Sequence, residues 1–306
     1  MPTPFPLTSS VTPRLIASLA LAILFGGCGA SAQQGGPISV PAPATPGAEP
    51  SPLSQPSINV NHIHALATLD GGKRLLIATH HGVMLASHAG ADPQPVGNGS
   101  IGGDVLALFY APDGTVFAGG HLVGVKVSHD NGNSWTDASP ALARADVHGL
   151  AIDPTHPSRL YAYVVGRGIL VSEDSGTTWT HRAGQADTNY VSGLTVTADG
   201  TLLVGTPGRG VAASTDHGTS FTVIRDNTGP VYSMSASATD PNVVLVAAEN
   251  GVFLTGDGGK TWNAGATNVA VTGVLIDPAD SHHFYAGGAD GSIAESTDAA
   301  ITFKPY

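Results

Sequence analysis

Six histidines carry the chemical interest of this chain. His62 and His64 form a His-x-His pair, His80 and His81 are adjacent, His121 follows two glycines, and His148 lies two residues past Asp146. Imidazole with carboxylate is a ligand set for Zn, Cu, Fe or Ni, and His-x-His on a strand aims both rings to one side. Asp104 and Asp146 would supply the oxygen donors, and the cofactor expected is a transition metal, Cu or Zn. A single imidazole is ordinarily a hydrogen-bonded polar residue. Convergence from several separate strands is what would mark these as ligands.

What must position them is a repeat. SHDNGNSW begins at Ser128, SEDSGTTW at Ser172, STDHGTSF at Ser214 and TGDGGKTW at Thr255, with worn copies SHAGADPQ at Ser87 and STDAAITF at Ser296. The starts are spaced by 41, 44, 42, 41 and 41 residues, and four strands with their turns fit that period. The expectation is an all-β fold, a six-bladed β-propeller of four-stranded antiparallel blades over residues 58–306. The first blade begins near Ile58 and the last ends in ITFKPY. Closure therefore proceeds without strand exchange unless residues 51–57 add a strand.

Aligning the innermost strands puts His62, Asp104, Asp146, Tyr190, Pro230 and Ala270 at one position. Strict alternation then puts His64, Leu106, His148, Ser192, Tyr232 and Thr272 two residues on. Next comes an apolar layer from Leu66 to Val274. The turns between second and third strands bring His80-His81, His121, Arg167, Arg209, Glu249 and Asp290 to the same face. The mouth is lopsided: blades 1 to 3 hold all six histidines with Asp104 and Asp146, and blades 3 to 6 hold Arg167, Arg209, Tyr190, Tyr232, Glu249 and Asp290.

The repeated segments resemble the Asp-box (BNR) repeat, S-x-D-x-G-x-[ST]-W, of sialidases, sortilin-type receptors, xyloglucanases and photosystem-assembly propellers. In that motif Asp accepts N–H bonds within a turn, Gly supplies a positive φ, and the aromatic packs between blades. Those roles are structural, so Asp130, Asp174, Asp216, Asp257 and Asp298 are not expected to be a catalytic or metal set. The resemblance also places ligand binding on the face opposite these turns. A narrower likeness is to bacterial lipoproteins labelled sialidase-like or glycosyl hydrolase, with HxHGL, ATHxG, GH and DFHxL motifs. Here those read His62-Ile63-His64-Ala65-Leu66, Ala78-Thr79-His80-His81-Gly82, Gly120-His121 and Asp146-Val147-His148-Gly149-Leu150.

Sialidase chemistry needs an arginine triad, a Tyr–Glu pair and an Asp acid, and the usual F/Y-R-I-P segment does not occur in the sequence. The candidates that remain are Asp104, Asp146, Glu249 and Tyr232 for catalysis, with Arg167, Arg209, Tyr190 and Asp290 for substrate. A glycosidase would use Asp104 and Asp146 to flank a glycosidic bond. The plainer reading makes them partners that orient histidines. Three functions stay open: a metal-associated binding or accessory protein, a carbohydrate hydrolase, and a protein-assembly scaffold. The partner at the mouth would be a small molecule, a glycan or a protein.

The remaining chain carries an address. Arg14 precedes an apolar run from Leu15 to Phe25, and the single cysteine, Cys28, follows Gly26-Gly27. Residues 1–28 thus read as an export signal ending in a lipobox-like site for lipidation at Cys28, with Ala30-Ser31-Ala32 as an alternative cleavage site. Residues 29–57, rich in Pro, Ala and Gly, read as a tether. The expected location is extracytoplasmic, as a cell-envelope lipoprotein, with membrane contact only through the lipid. A formal charge of −11 and only 12 scattered basic residues exclude nucleic acid as a partner, since phosphate binding needs clustered Lys and Arg.

Overall fold

The structure is a computed structural model, and it describes residues 62–182, 193–206, 210–265, 267 and 270–306. The export signal, Cys28 and the tether lie outside the described residues, as do Tyr190, Ser192 and Arg209. Among the described residues no helix is long and apolar enough to cross a membrane.

Among the described residues, twenty-four strands form six antiparallel four-stranded sheets, each from strands consecutive in the chain. Blade 1 contains β1 (Ile63–Leu69), β2 (Arg74–Thr79), β3 (Gly82–Ala86) and β4 (Gln94–Pro95). Blade 2 contains β5 (Val105–Tyr110), β6 (Val116–Gly120), β7 (Gly124–Ser128) and β8 (Thr136–Asp137). Blade 3 contains β9 (Val147–Asp153), β10 (His156–Val164), β11 (Gly168–Ser172) and β12 (Thr180–His181). Blade 4 contains β13 (Leu194–Val196), β14 (Leu202–Thr206), β15 (Gly210–Ser214) and β16 (Thr222–Arg225). Blade 5 contains β17 (Val231–Ala236), β18 (Val244–Ala248), β19 (Gly251–Thr255) and β20 (Asn263–Gly265). Blade 6 contains β21 (Val271–Asp277), β22 (Asp280–Gly288), β23 (Ile293–Ser296) and β24 (Lys304–Pro305). The protein is a six-bladed β-propeller.

The Ser-x-Asp turns joining third to fourth strands explain why the repeat persists. Asp130 Oδ1 accepts from Ser128 Oγ at 2.8 Å and from the Ser134 N–H at 2.8 Å, and Oδ2 accepts from Ser134 Oγ at 2.6 Å. Asp174, Asp216, Asp257 and Asp298 repeat this arrangement. Hydrogen bonds led by the Ser134 hydroxyl lower the Asp130 carboxyl to about 2, because they favour the charged form. The following aromatic turns towards the preceding blade. Trp135 is 4% exposed, donates Nε1–H to the Gly132 carbonyl at 2.9 Å, and packs with Leu76 of blade 1 and Ile101 of the connection between blades 1 and 2. The worn blade 1 copy has no such aromatic, and Tyr285 and Tyr306 fill the seam between blades 6 and 1 beside Ile63 and Met84.

Glycine makes room between some blades. A Cβ on Gly119 would lie 2.7 Å from Val147 Cγ1, one on Gly205 2.6 Å from Val231 Cβ, and one on Gly287 2.5 Å from Ile63 Cγ2. Each pair seats the start of one blade's innermost strand against the preceding blade's second strand. At the closing seam Thr272 Oγ1 donates to the Ile63 carbonyl at 2.6 Å. Among the described residues, no strand is exchanged there.

Candidate functional site

The mouth is built from two devices repeated around the ring. The first is a backbone bond from the turn after the second strand to the residue before the innermost strand. His121 N–H donates to the Asp104 carbonyl, Val165 to Asp146, Glu249 to Pro230 and Ala289 to Ala270, each at 2.9 Å. The second is a break in register one residue into the innermost strand. Ile63 pairs with Thr79 and Ala65 with Ala78, leaving His64 as the extra residue. The same shift singles out Leu106, His148, Tyr232 and Thr272. A bulge re-aims the side chain it carries. Strict alternation, expected from the sequence, is therefore corrected at these five positions.

These devices gather the histidines. His62 has a φ of 60°, a left-handed conformation that L residues seldom adopt, and its ring lies 4.7 Å from that of His64 and 5.0 Å from that of His80. His64 Nε2 is 3.3 Å from His80 Nδ1 and 3.1 Å from Asp104 Oδ1, and His80 Nδ1 is 2.9 Å from the same oxygen. On the next blades, Asp146 Oδ1 lies 2.7 Å from His121 Nδ1 and 3.0 Å from His148 Nε2. The His121 and His148 rings meet edge to face at 4.8 Å. Donor atoms of His62, His64 and His80 lie within 4.8 Å of one another, as do those of His121, Asp146 and His148. Either group could hold a metal.

Burial sets the protonation of these rings. Desolvation lowers His64 to about 4, against the opposing pull of Asp104, and burial also lowers His148 and His62. Neutral imidazole is the ligating form, so these side chains are prepared for coordination at neutral pH. Below them the ring axis opens into a cavity of about 400 Å³. His64 and His148 line it, and Leu66, Leu108, Leu150, Leu194, Met234 and Val274 form a buried apolar collar.

Other candidates sit apart from this arc. His81 is exposed and belongs to neither donor group; its backbone N–H bonds Thr79 Oγ1. Asp290 Oδ1 is occupied by the N–H and hydroxyl of Ser292, at 3.0 and 2.6 Å, and so caps its own turn. Arg167 and Glu249 are exposed turn residues, and Tyr232 is exposed at the cavity wall.

A scan against protein-family models and a search of curated proteins each find no match. Solved structures do match. The GH74 xyloglucanase of Xanthomonas campestris aligns with a TM-score of 0.56 at 17% identity, covering 79% of this chain and 46% of that one. The GH74 enzyme of Niastella koreensis gives 0.55 at 18%, with the same coverage. YCF48 bound to a D1 peptide gives 0.54 at 16% identity, covering 77% of both chains. The likeness is one of fold. This chain spans less than half the length of the two GH74 proteins, so shape is what it shares with them.

The sequence could not have revealed the partner of each turn histidine. His80, from blade 1, reaches the aspartate that opens blade 2, and His121, from blade 2, reaches the one that opens blade 3. The available signal was the recurrence of Asp before an innermost strand and His in the preceding blade's turn.

Proposed function

We propose that this chain is an exported, lipid-anchored propeller of the Asp-box kind, which binds a transition metal, Cu or Zn, at the mouth of blades 1–3 and serves as a binding or accessory protein. One observation carries the reading: imidazole and carboxylate donors from three successive blades crowd together at hydrogen-bond spacing, with the most enclosed rings held neutral. A hydrogen-bonded cluster alone needs no such excess of imidazole over carboxylate. The signal-like segment, Cys28 and the Pro-rich stretch support export and anchoring. The test is elemental analysis of protein purified without a polyhistidine tag and dialysed against Cu or Zn. Stoichiometric metal supports the reading, and protein that retains none overturns it.

A glycoside hydrolase is the second reading, favoured by the fold shared with GH74 enzymes. It would rest on Asp104 and Asp146. Asp104 already faces three imidazoles and Asp146 two, an arrangement better suited to orienting ligands than to donating a proton to a leaving group. Turnover of aryl glycosides by metal-free protein would favour the hydrolase. With neither metal nor turnover, a protein-assembly scaffold takes its place.

A further inference from the structure

We infer that the mouth holds two metal positions, linked through Asp104 and His121; this rests on the metal reading above. Ligands 2.0–2.1 Å from a tetrahedral ion lie about 3.3 Å from each other. The His64 Nε2, His80 Nδ1 and Asp104 Oδ1 atoms are separated by 3.3, 3.1 and 2.9 Å. They outline one triangular face of such a polyhedron, and His62 has a donor atom within 4.8 Å of the two imidazoles of that face. The second triangle is His121 Nδ1, Asp146 Oδ1 and His148 Nε2, whose nitrogens stand 2.7 and 3.0 Å from the shared oxygen. The donors form two groups, not one. Together with Asp104 they number seven, more than the four a zinc ion ordinarily takes.

The two triangles meet at a single contact. Asp104 turns Oδ1 to the first group, while Oδ2 lies 3.7 Å from His121 Nε2. His121 meets Asp146 through its other nitrogen, Nδ1. A small rotation of the half-exposed His121 ring brings Nε2–H within hydrogen-bond range of Oδ2. Asp104 is then a ligand at the first position and an orienting acceptor at the second. A carboxylate behind a ligating histidine fixes its tautomer and raises its basicity. The order metal, Asp104, His121, metal makes the two positions interdependent.

The test uses zinc chloride with the full chain, purified without a polyhistidine tag, in equilibrium dialysis followed by elemental analysis. Circular dichroism and thermal melts verify the fold of each variant. The expected result is two zinc ions per chain. His121→Ala, at a side chain 46% exposed, should leave one, and the double variant His64→Ala/His80→Ala should also leave one. Asp104→Asn should weaken both, by about 10- to 100-fold at the second position, the range for an outer-shell partner. One zinc per chain, lost in either variant, overturns the two-position inference and leaves the metal reading standing. Two zinc ions with Asp104→Asn affecting only the first would refute the link. The metal reading itself falls if neither zinc nor, in a parallel dialysis, copper is bound by either group.

Discussion

His80 Nδ1 of blade 1 lies 2.9 Å from Asp104 Oδ1 of blade 2, and His121 of blade 2 stands in the same relation to Asp146 of blade 3, at 2.7 Å. A turn histidine meeting the aspartate of the following blade is thus a repeated unit. Its two copies are what unite three blades in one site.

The first prediction follows from that pairing. His80→Ala should reduce metal affinity by at least the roughly 10- to 100-fold seen on losing an outer-shell partner, because His80 is itself a donor. Its side chain is 44% exposed, so global stability should change by no more than about 0.5 kcal/mol. Calorimetric titration with Zn, alongside urea unfolding, separates the two effects.

Acid should loosen the metal-free mouth. The folded His64 titrates at about 4, below its ordinary 6.5, chiefly through burial. Between those values the unfolded chain binds the proton more readily, so His64 makes stability rise with pH. Its unfavourable contribution therefore sets in as pH falls below 6.5 and is complete below about 4. His62 and His148 shift the same way. The urea midpoint should drop between pH 7 and 4.5, and His64→Gln should flatten that slope. An unchanged slope in the variant would locate the acid sensitivity elsewhere. The Ser-x-Asp turns act in a lower window: Asp130, held at about 2 against 3.8, loses its stabilising contribution only as pH falls through that range.

Trp135→Ala should destabilise the propeller by about 3–5 kcal/mol, the usual result of emptying a buried aromatic site. The cavity would open between blades 1 and 2, at the Ser-x-Asp turns and away from the histidines. Chemical denaturation should show the loss, while metal stoichiometry of the folded fraction stays unchanged.

Gly287→Ala is an overpacking test of the closing seam. The new methyl would meet Ile63 Cγ2 at 2.5 Å, and overpacked cores typically lose about 1–3 kcal/mol. Ile63 lies between His62 and His64, so displacing it should weaken metal binding as well. Thermal melting and zinc titration of one variant read both outcomes.

The proposed lipid anchor has its own test. Cys28→Ala should convert a membrane-fraction protein into a soluble exported one, followed by fractionation and immunoblotting. Unchanged membrane association would refute lipidation at this residue.

The blade count and the common alignment of His62, Asp104 and Asp146 were legible in the sequence because the Ser-x-Asp turn ties a recognisable motif to one corner of each blade. The apolar collar from Leu66 to Val274 followed from the same alignment. The bulges at His64 and His148 were hidden, since one extra residue on an innermost strand leaves no trace in motif spacing. Cross-blade contacts such as His80 with Asp104 were hidden as well, because the angle between neighbouring sheets decides them. Asp290 looked like a mouth residue by type, yet its carboxylate is used up by Ser292, a local competition invisible to residue counting.

The way the ring closes has a mechanical consequence. With blade 6 meeting blade 1 through Thr272, Ile63 and the Tyr285–Tyr306 pair, closure among the described residues resembles a clasp rather than a weld. Backbone ladders stop at each blade's own edges, so opening the clasp breaks no sheet. The histidine arc spans blades 1 to 3 and holds the clasp from one side only, through β1. Metal would therefore brace β1 and the blades that follow it while the blade 6 side of the clasp could still part, and amide exchange should quicken first along β21.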